Sequence, residues 1–246
     1  MKLDQDQHQI EIRQNLSSWN AKPLLRRIYA SFYQEIIALI EPQLPGRIVE
    51  IGSGIGNLKS HLPAAIATDL FPNPWLDFAC DAYELPFASA SLSHLVAFDV
   101  FHHLRAPNAF LREAHRVLLP GGRLILFEPF VSLASRPVYG LFHHEPLAMN
   151  QPISLADQLP RPRDYYAAQG NATRLFFRRE IPGWPTGWEI LHARAFSSFS
   201  YLLSGGYSKP AFYPAACLGT IQRIDRVLSR WPRLFGARCL VALECA

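Results

Sequence analysis

Glu50-Ile51-Gly52-Ser53-Gly54-Ile55-Gly56 decides the reading of this chain. Its three alternate glycines follow directly on Arg47-Ile48-Val49-Glu50-Ile51, a short buried-strand pattern. Glycines at a strand-to-helix turn let the backbone approach a ligand closely, and a helix start offers unpaired N–H groups. A dinucleotide fingerprint, G-x-G-x-x-G, would need glycine where Asn57 stands. A phosphate-binding P-loop would need glycine directly before Lys59-Ser60, and Leu58 stands there. Both patterns fail.

Outward from this turn the chain alternates strand-like and helix-like stretches. Upstream, residues 1–20 read as a polar arm with Trp19 its one large aromatic side chain. Leu24, Leu25, Ile28, Phe32, Ile36, Leu39 and Ile40 then recur at helical spacing until Pro42 and Pro45-Gly46 stop them. Downstream, a helix is expected over 57–61, cut short by Pro63. Strands follow over 65–68, ending at Asp69, over 77–80, and over 92–98, ending at Asp99. A helix over 108–118 stops at Pro120-Gly121-Gly122, and 123–128 is a further strand. Residues 130–185 show no clear period; 188–196 and 238–243 read as strands and 218–231 as an amphipathic helix. Strands alternating with helices imply crossover units, hence an α/β fold with a doubly wound, mostly parallel sheet of about seven strands and an aromatic-rich cap. One domain is expected over 1–246: a helical arm at 1–45, a ligand-binding core at 46–129, a cap containing the sixth strand at 130–235, and the last strand at 236–246.

The spacing E-x-G-x-G-x-G resembles the first motif of the class I S-adenosylmethionine-dependent methyltransferases. Four more elements follow in that family's order. Asp69 ends the second strand 19 residues after Glu50, and Asp81-Ala82-Tyr83-Glu84-Leu85-Pro86-Phe87 is similar to the family's D-A-x-x-L-P-F segment. The stretch from Leu95 to Leu104, with Asp99 inside it, resembles the fourth motif; Leu119-Pro120-Gly121-Gly122-Arg123-Leu124 resembles the turn before the fifth strand. The resemblance spans residues 47–128 and implies a Rossmann-like fold with S-adenosylmethionine as cofactor and S-adenosylhomocysteine as product. It implies that Gly52, Ser53, Gly54 and Gly56 pass under the methionine and ribose, and that Glu50 orients the glycine loop and the ligand's ammonium. Asp69 with Leu70 would bind ribose, Asp81 with Ala82 the adenine, and Asp99 with Val100 the methionine side. Trp19 is expected either to close over the cofactor or to pack.

Methyl transfer from a sulfonium is an in-line displacement, so the protein mainly aligns acceptor and methyl, and an oxygen acceptor of high pKa needs a base as well. His102 and His103 follow the fourth motif at the mouth of the expected pocket, and His143-His144-Glu145-Pro146 lies after the fifth strand, where these enzymes build the acceptor site. His143, His144, Glu145, His102 and His103 are therefore the candidate catalytic groups, and a histidine beside a glutamate is held in one tautomer. Aromatics over 130–214 are expected to wall an apolar or sugar-stacking pocket, half or more of them serving as core. Residues 196–208, His143–Pro146 and 235–244 also resemble a group of uncharacterised bacterial methyltransferases associated with glycosyltransferase and surface-polysaccharide functions. The expected acceptor is thus an oxygen of a sugar, a glycolipid or another small molecule. RNA modification, suggested by 20 Arg against 4 Lys, and a non-catalytic scaffold are the competing readings.

Composition bounds the rest. With 246 residues, 49% of them hydrophobic and 18% charged, disorder, collagen-like repetition and coiled coil are excluded. The start Met-Lys-Leu-Asp-Gln-Asp-Gln-His carries no apolar leader, and no uncharged apolar run approaches the roughly 18 residues of a membrane span, so a cytoplasmic location is expected. Four cysteines without a C-x-x-C pair read as reduced thiols, and no metal site is expected. Arg223, Arg226 and Arg230 fall on one stripe of the last helix, with Arg233 just beyond, a solvated face or a phosphate contact that permits peripheral membrane binding. The partner classes are a small-molecule acceptor and no nucleic acid.

Overall fold

The computed structural model describes residues 5–142, 145–156 and 165–245. Seven strands form one sheet: β1 (Arg47–Ile51), β2 (Ala65–Asp69), β3 (Phe78–Ala79), β4 (Leu92–Phe98), β5 (Leu118–Pro129), β6 (Trp188–Phe196) and β7 (Arg238–Cys245), in the order β3-β2-β1-β4-β5-β7-β6. The pairings from β3 through β5 are parallel, and β7 runs antiparallel to both β5 and β6. The order reverses between β1 and β4, which opens a crevice beyond the carboxyl ends of these strands.

Strand side chains alternate between faces, so each continuous apolar run feeds two cores. Val49, Ile51, Leu95, Ala97, Leu124, Leu126, Val241 and Leu243 meet Phe110, Leu111, Ala114 and Val117 of one helix, α3 (Pro107–Val117). Val96, Phe98, Ile125, Phe127, Leu240 and Ala242 meet α2 (Pro23–Ile37) through Leu25, Ile28, Tyr29, Phe32, Tyr33 and Ile36. Pro23 and Pro107 open their helices at the first turn, where a missing N–H costs nothing. The second core is aromatic: Phe98 stacks on Phe127 with centroids 4.6 Å apart, and Phe32 lies 4.8 Å from Phe127.

One stretch agrees with the expected helical arm without showing an apolar period, and one differs from the sequence reading. The polar arm is a helix, α1 (Gln5–Ala21). It is tied down by side-chain bonds rather than by an apolar stripe: Gln9 donates to the Pro72 carbonyl at 2.7 Å and Ser18 to that of Tyr207 at 2.5 Å. Beyond its end, Lys22 donates to the Gly206 and Lys209 carbonyls at 2.7 Å each. The helix expected at 57–61 is only a single 3₁₀ turn, Asn57–Ser60, before Pro63. In the cap, α4 (Ser135–Phe142), a five-residue π-turn at Thr173–Phe177 and α5 (Phe199–Leu202) precede α6 (Leu218–Leu228) and α7 (Pro232–Phe235). Among the described residues no helix is long and apolar enough to cross a membrane.

Phe127 is fully buried at the centre of the aromatic layer. Phe127→Ala is expected to cost about 3–5 kcal/mol and so lower Tm by roughly 10 °C. Thermal unfolding with an unchanged midpoint would contradict the packing described.

Candidate active site

The strands end in acids, and the site grows from how each acid is satisfied. Asp69, at the end of β2, accepts the Gly54 N–H at 2.9 Å and the Leu70 N–H at 2.6 Å, which fastens the glycine loop to the next strand. Burial raises its pKa; His8 and the two N–H donors oppose that rise. The loop's bends need glycine. Gly52 has φ +64°, and a Cβ there would lie 2.2 Å from a Val100 methyl; Gly54 has φ +54° and faces open space, with Ile12 of α1 its only neighbour at 4.0 Å.

Asp99 follows β4 with φ 56° and sends both carboxylate oxygens to Arg238 of β7, at 2.5 and 2.7 Å. Arg238 is 2% exposed, and its guanidinium also lies over the rings of Tyr201 at 4.5 Å and Phe127 at 5.5 Å. Ion pair and π-faces together offset the desolvation of this cation. Glu128, at the end of β5, is fully buried and accepts the N–H groups of Val100 at 2.9 Å and Phe101 at 2.7 Å. Its second oxygen takes the His102 ring at 2.6 Å.

That bond starts a chain of ionisable groups. His102 Nε2 lies 3.4 Å from one oxygen of Glu145, and His103 Nε2 lies 3.4 Å from the other. Tyr165 and Gln169 donate to Glu145 at 3.1 Å each. Burial alone would lower the His102 pKa, but Glu128 and Glu145 outweigh it and hold it up at about 10. Burial and the neighbouring His102 charge push His103 down to about 4. Two adjacent imidazoles are thereby driven apart, one a proton holder and one a lone-pair donor. The ligand atoms of His102, His103 and Glu145 lie within 4.8 Å of one another, near enough to hold a divalent cation, but charge pairing already accounts for their arrangement.

Glu50 is the exception among the acids. It is 3% exposed at the end of β1, its Oε2 has no hydrogen-bond partner among the described residues, and burial pushes its pKa up to about 7. Glu50, Asp69, Asp81, Ala82, Asp99, Val100, His102, His103 and Glu145 all line one cavity of about 1420 Å³, together with Gly52, Ser53, Gly54 and Leu70. Gly56 is not part of that lining; a Cβ there would touch the Trp75 carbonyl at 3.0 Å. Trp19 also stands outside it, edge-on to Tyr29 at 5.6 Å. His143 and His144 lie outside the described residues.

Residues 49–126 match the family model described as a methyltransferase domain. That stretch, about a third of the chain, is similar to a methyltransferase domain. Its fold is similar to that of a Thermotoga maritima S-adenosylmethionine-dependent methyltransferase, possibly acting on histamine nitrogen, at 17% identity over 96% of this chain and 99% of that one, with a TM-score of 0.52. It is also similar to the Streptomyces coelicolor geranyl diphosphate C-methyltransferase, at 11% identity over 88% and 76% of the two chains, TM-score 0.52. At these identities the likeness establishes the fold. The chain's own residues would fit such a cofactor on two counts: a glycine turn open to the cavity, and a buried carboxylate oxygen without a partner among the described residues. The cavity exceeds the roughly 300–1000 Å³ of a single-ligand pocket, so it has room for an acceptor beside the cofactor.

Several lining residues carried no local signal. Arg238 reads as the end of a strand, and Tyr29 and Tyr33 are not among the apolar positions that mark the helix; Glu128, which is not part of the lining but holds His102, reads as the end of another strand. His8 and Ile12 sit in the arm that carried no period. The acid at the end of every parallel strand from β1, β2 and β4 to β5 was the signal that would have found Glu128. Of the aromatics over 130–214, Tyr139, Tyr165, Tyr166, Phe199, Tyr201, Tyr207 and Phe212 line the cavity, while Phe130 and Phe196 are core.

A buried carboxyl whose pKa is raised from 4.5 to about 7 penalises the folded state progressively as pH rises through that interval. Glu50→Gln is therefore expected to stabilise the ligand-free protein at pH 8 by roughly 1–3 kcal/mol, with the gain shrinking towards pH 5. Chemical denaturation at both pH values checks this; a variant less stable than wild type at pH 8 would contradict it.

Proposed function

We propose that the chain is a class I S-adenosylmethionine-dependent methyltransferase that transfers a methyl group to an oxygen of a small-molecule acceptor, a sugar or a lipid-linked glycan, with His103 as the base. The observation that carries the reading is that His103 and Glu145 line the same cavity as the glycine loop. S-adenosylmethionine, when bound, supplies a methyl group activated by a sulfonium.

Glu50 would receive the ammonium group, Asp69 with Leu70 the ribose, and Asp81 with Ala82 the adenine. Gly52, Ser53, Gly54 and Gly56 would carry the backbone under the methionine and ribose, with Asp99 and Val100 on the methionine side. The Asp81 carboxylate accepts the Tyr83 N–H at 2.9 Å, which fixes its turn. On the acceptor side, His103 Nδ1 faces the Tyr166 carbonyl at 3.1 Å. A carbonyl only accepts, so Nδ1 carries the proton and Nε2 presents a lone pair. Nε2 and a carboxylate oxygen of Glu145 stand 3.4 Å apart, and two acceptors so placed suit a hydroxyl donated between them. His103 Nε2 would take the proton of the acceptor hydroxyl as its oxygen receives the methyl group that bound S-adenosylmethionine would supply, with S-adenosylhomocysteine as the leaving product. His102, held protonated between Glu128 and Glu145, keeps Glu145 in place. Tyrosines around the cavity offer both stacking faces and hydroxyls, which favours a sugar over a purely apolar acceptor.

His103→Gln is expected to lower kcat by about 10²–10⁴ with S-adenosylmethionine affinity unchanged, measured against a panel of glycans, glycolipids and RNA. The free-enzyme profile of kcat/KM should run flat through pH 6.5, because protonation of the base waits until pH approaches about 4. An acid limb centred near 6.5, or full activity in the variant, would refute His103 as base; turnover of RNA alone would refute the acceptor class.

A further inference from the structure

The face of α6 and α7 turned away from the sheet carries a pattern that the methyl-transfer site does not use. Inward, α6 buries Leu218 and Asp225; the Asp225 carboxylate accepts the Ser197 hydroxyl at 2.7 Å and the N–H groups of Phe199 at 2.7 Å and Ser200 at 3.0 Å. Outward, Ile224, Val227, Trp231 and Leu234 follow at spacings of three, four and three, each 44–52% exposed. They form an apolar stripe that stands exposed among the described residues. Arg223, Arg226, Arg230 and Arg233 flank it, all exposed and none hydrogen-bonded or ion-paired through its side chain among the described residues.

The stripe continues across the chain. Leu133 is 72% exposed and donates its N–H to the Arg233 carbonyl at 3.2 Å. Beside it, Arg136, Arg178 and Arg233 line a cavity of about 260 Å³ with Ser132 and Asn150, and Arg178 also meets Glu180 at 3.8 Å. The helix that carries Arg136, α4, places Val138 and Tyr139 on the wall of the catalytic cavity. α6 is likewise joined to that cavity, since Asp225 caps the start of α5, whose Phe199 and Tyr201 line it.

We infer that this face docks on the surface of a membrane containing anionic phospholipids. Charge and shape both select that occupant. Tryptophan and aliphatic side chains in a stripe bordered by arginines match the interfacial layer, where rings sit among headgroups and guanidiniums meet phosphates. A second copy of the chain fits poorly, because a two-fold contact would bring the same arginine cluster against itself. RNA would leave the apolar stripe without a use. The inference goes beyond the acceptor reading and stands without it; the two meet in a lipid-linked acceptor entering between α4 and α5 from the membrane side.

The test is co-sedimentation of the full chain with phosphatidylcholine vesicles, with and without 30% phosphatidylglycerol, at low and high salt. S-adenosylmethionine binding, followed in the same preparations, reports folding and separates this test from the acceptor question. Binding is expected only on the anionic vesicles and should weaken with salt. Arg226→Glu with Arg230→Glu, and separately Trp231→Ser, should each lower it at least tenfold with cofactor binding intact. Failure of the folded wild type to sediment would overturn the inference, as would equal binding by the variants. So would a dimer in sedimentation velocity that Trp231→Ser abolishes, which would make this face a contact between copies.

Discussion

Buried carboxylates gathered at one edge of the sheet are the constraint on which the site depends. A parallel sheet places the ends of β1, β2, β4 and β5 side by side, and each here ends in or beside an acid: Glu50, Asp69, Asp99 and Glu128. Anions so close in a low-dielectric crevice must each find donors or lose their charge. Asp69 takes backbone N–H groups, Asp99 takes Arg238, and Glu128 takes three N–H groups and an imidazole. Glu50 keeps one oxygen without a partner among the described residues, and burial raises its pKa.

The same constraint organises the acceptor side. Glu128 fixes the turn after β4 and, through His102, reaches Glu145, which belongs to the cap. Cap and sheet are therefore joined by charge along the cavity wall, and by aromatic packing elsewhere. Arg238 extends this from the far side: it neutralises Asp99 while resting on rings contributed by α2, β4, β5 and α5. One buried cation thus stabilises both the aromatic core and the pocket floor.

Much of this was legible in sequence because it is local. The glycine turn, the acid at the end of each early strand and the run Leu92–Phe98 each declare themselves within ten residues, and the sheet follows from their order. Trp188–Phe196 was readable to the residue because its flanks break the pattern on both sides. What was not legible depends on distant partners. α1 lacks an apolar period, and its helix is held by the carbonyls of Pro72 and Tyr207 far along the chain. Likewise Arg238 begins an apolar strand with no hint of Asp99, 139 residues away. The split between His102 and His103 could not be read from a His-His pair, since it comes from Glu128 and Glu145 converging on the first ring and not equally on the second.

The most direct test of the central claim is calorimetry of S-adenosylmethionine and S-adenosylhomocysteine on the purified chain, beside Gly54→Arg, whose side chain would fill the open space above the glycine loop. The account predicts saturable binding at one site per chain by both ligands, abolished in the variant. A folded wild type that binds neither would contradict it.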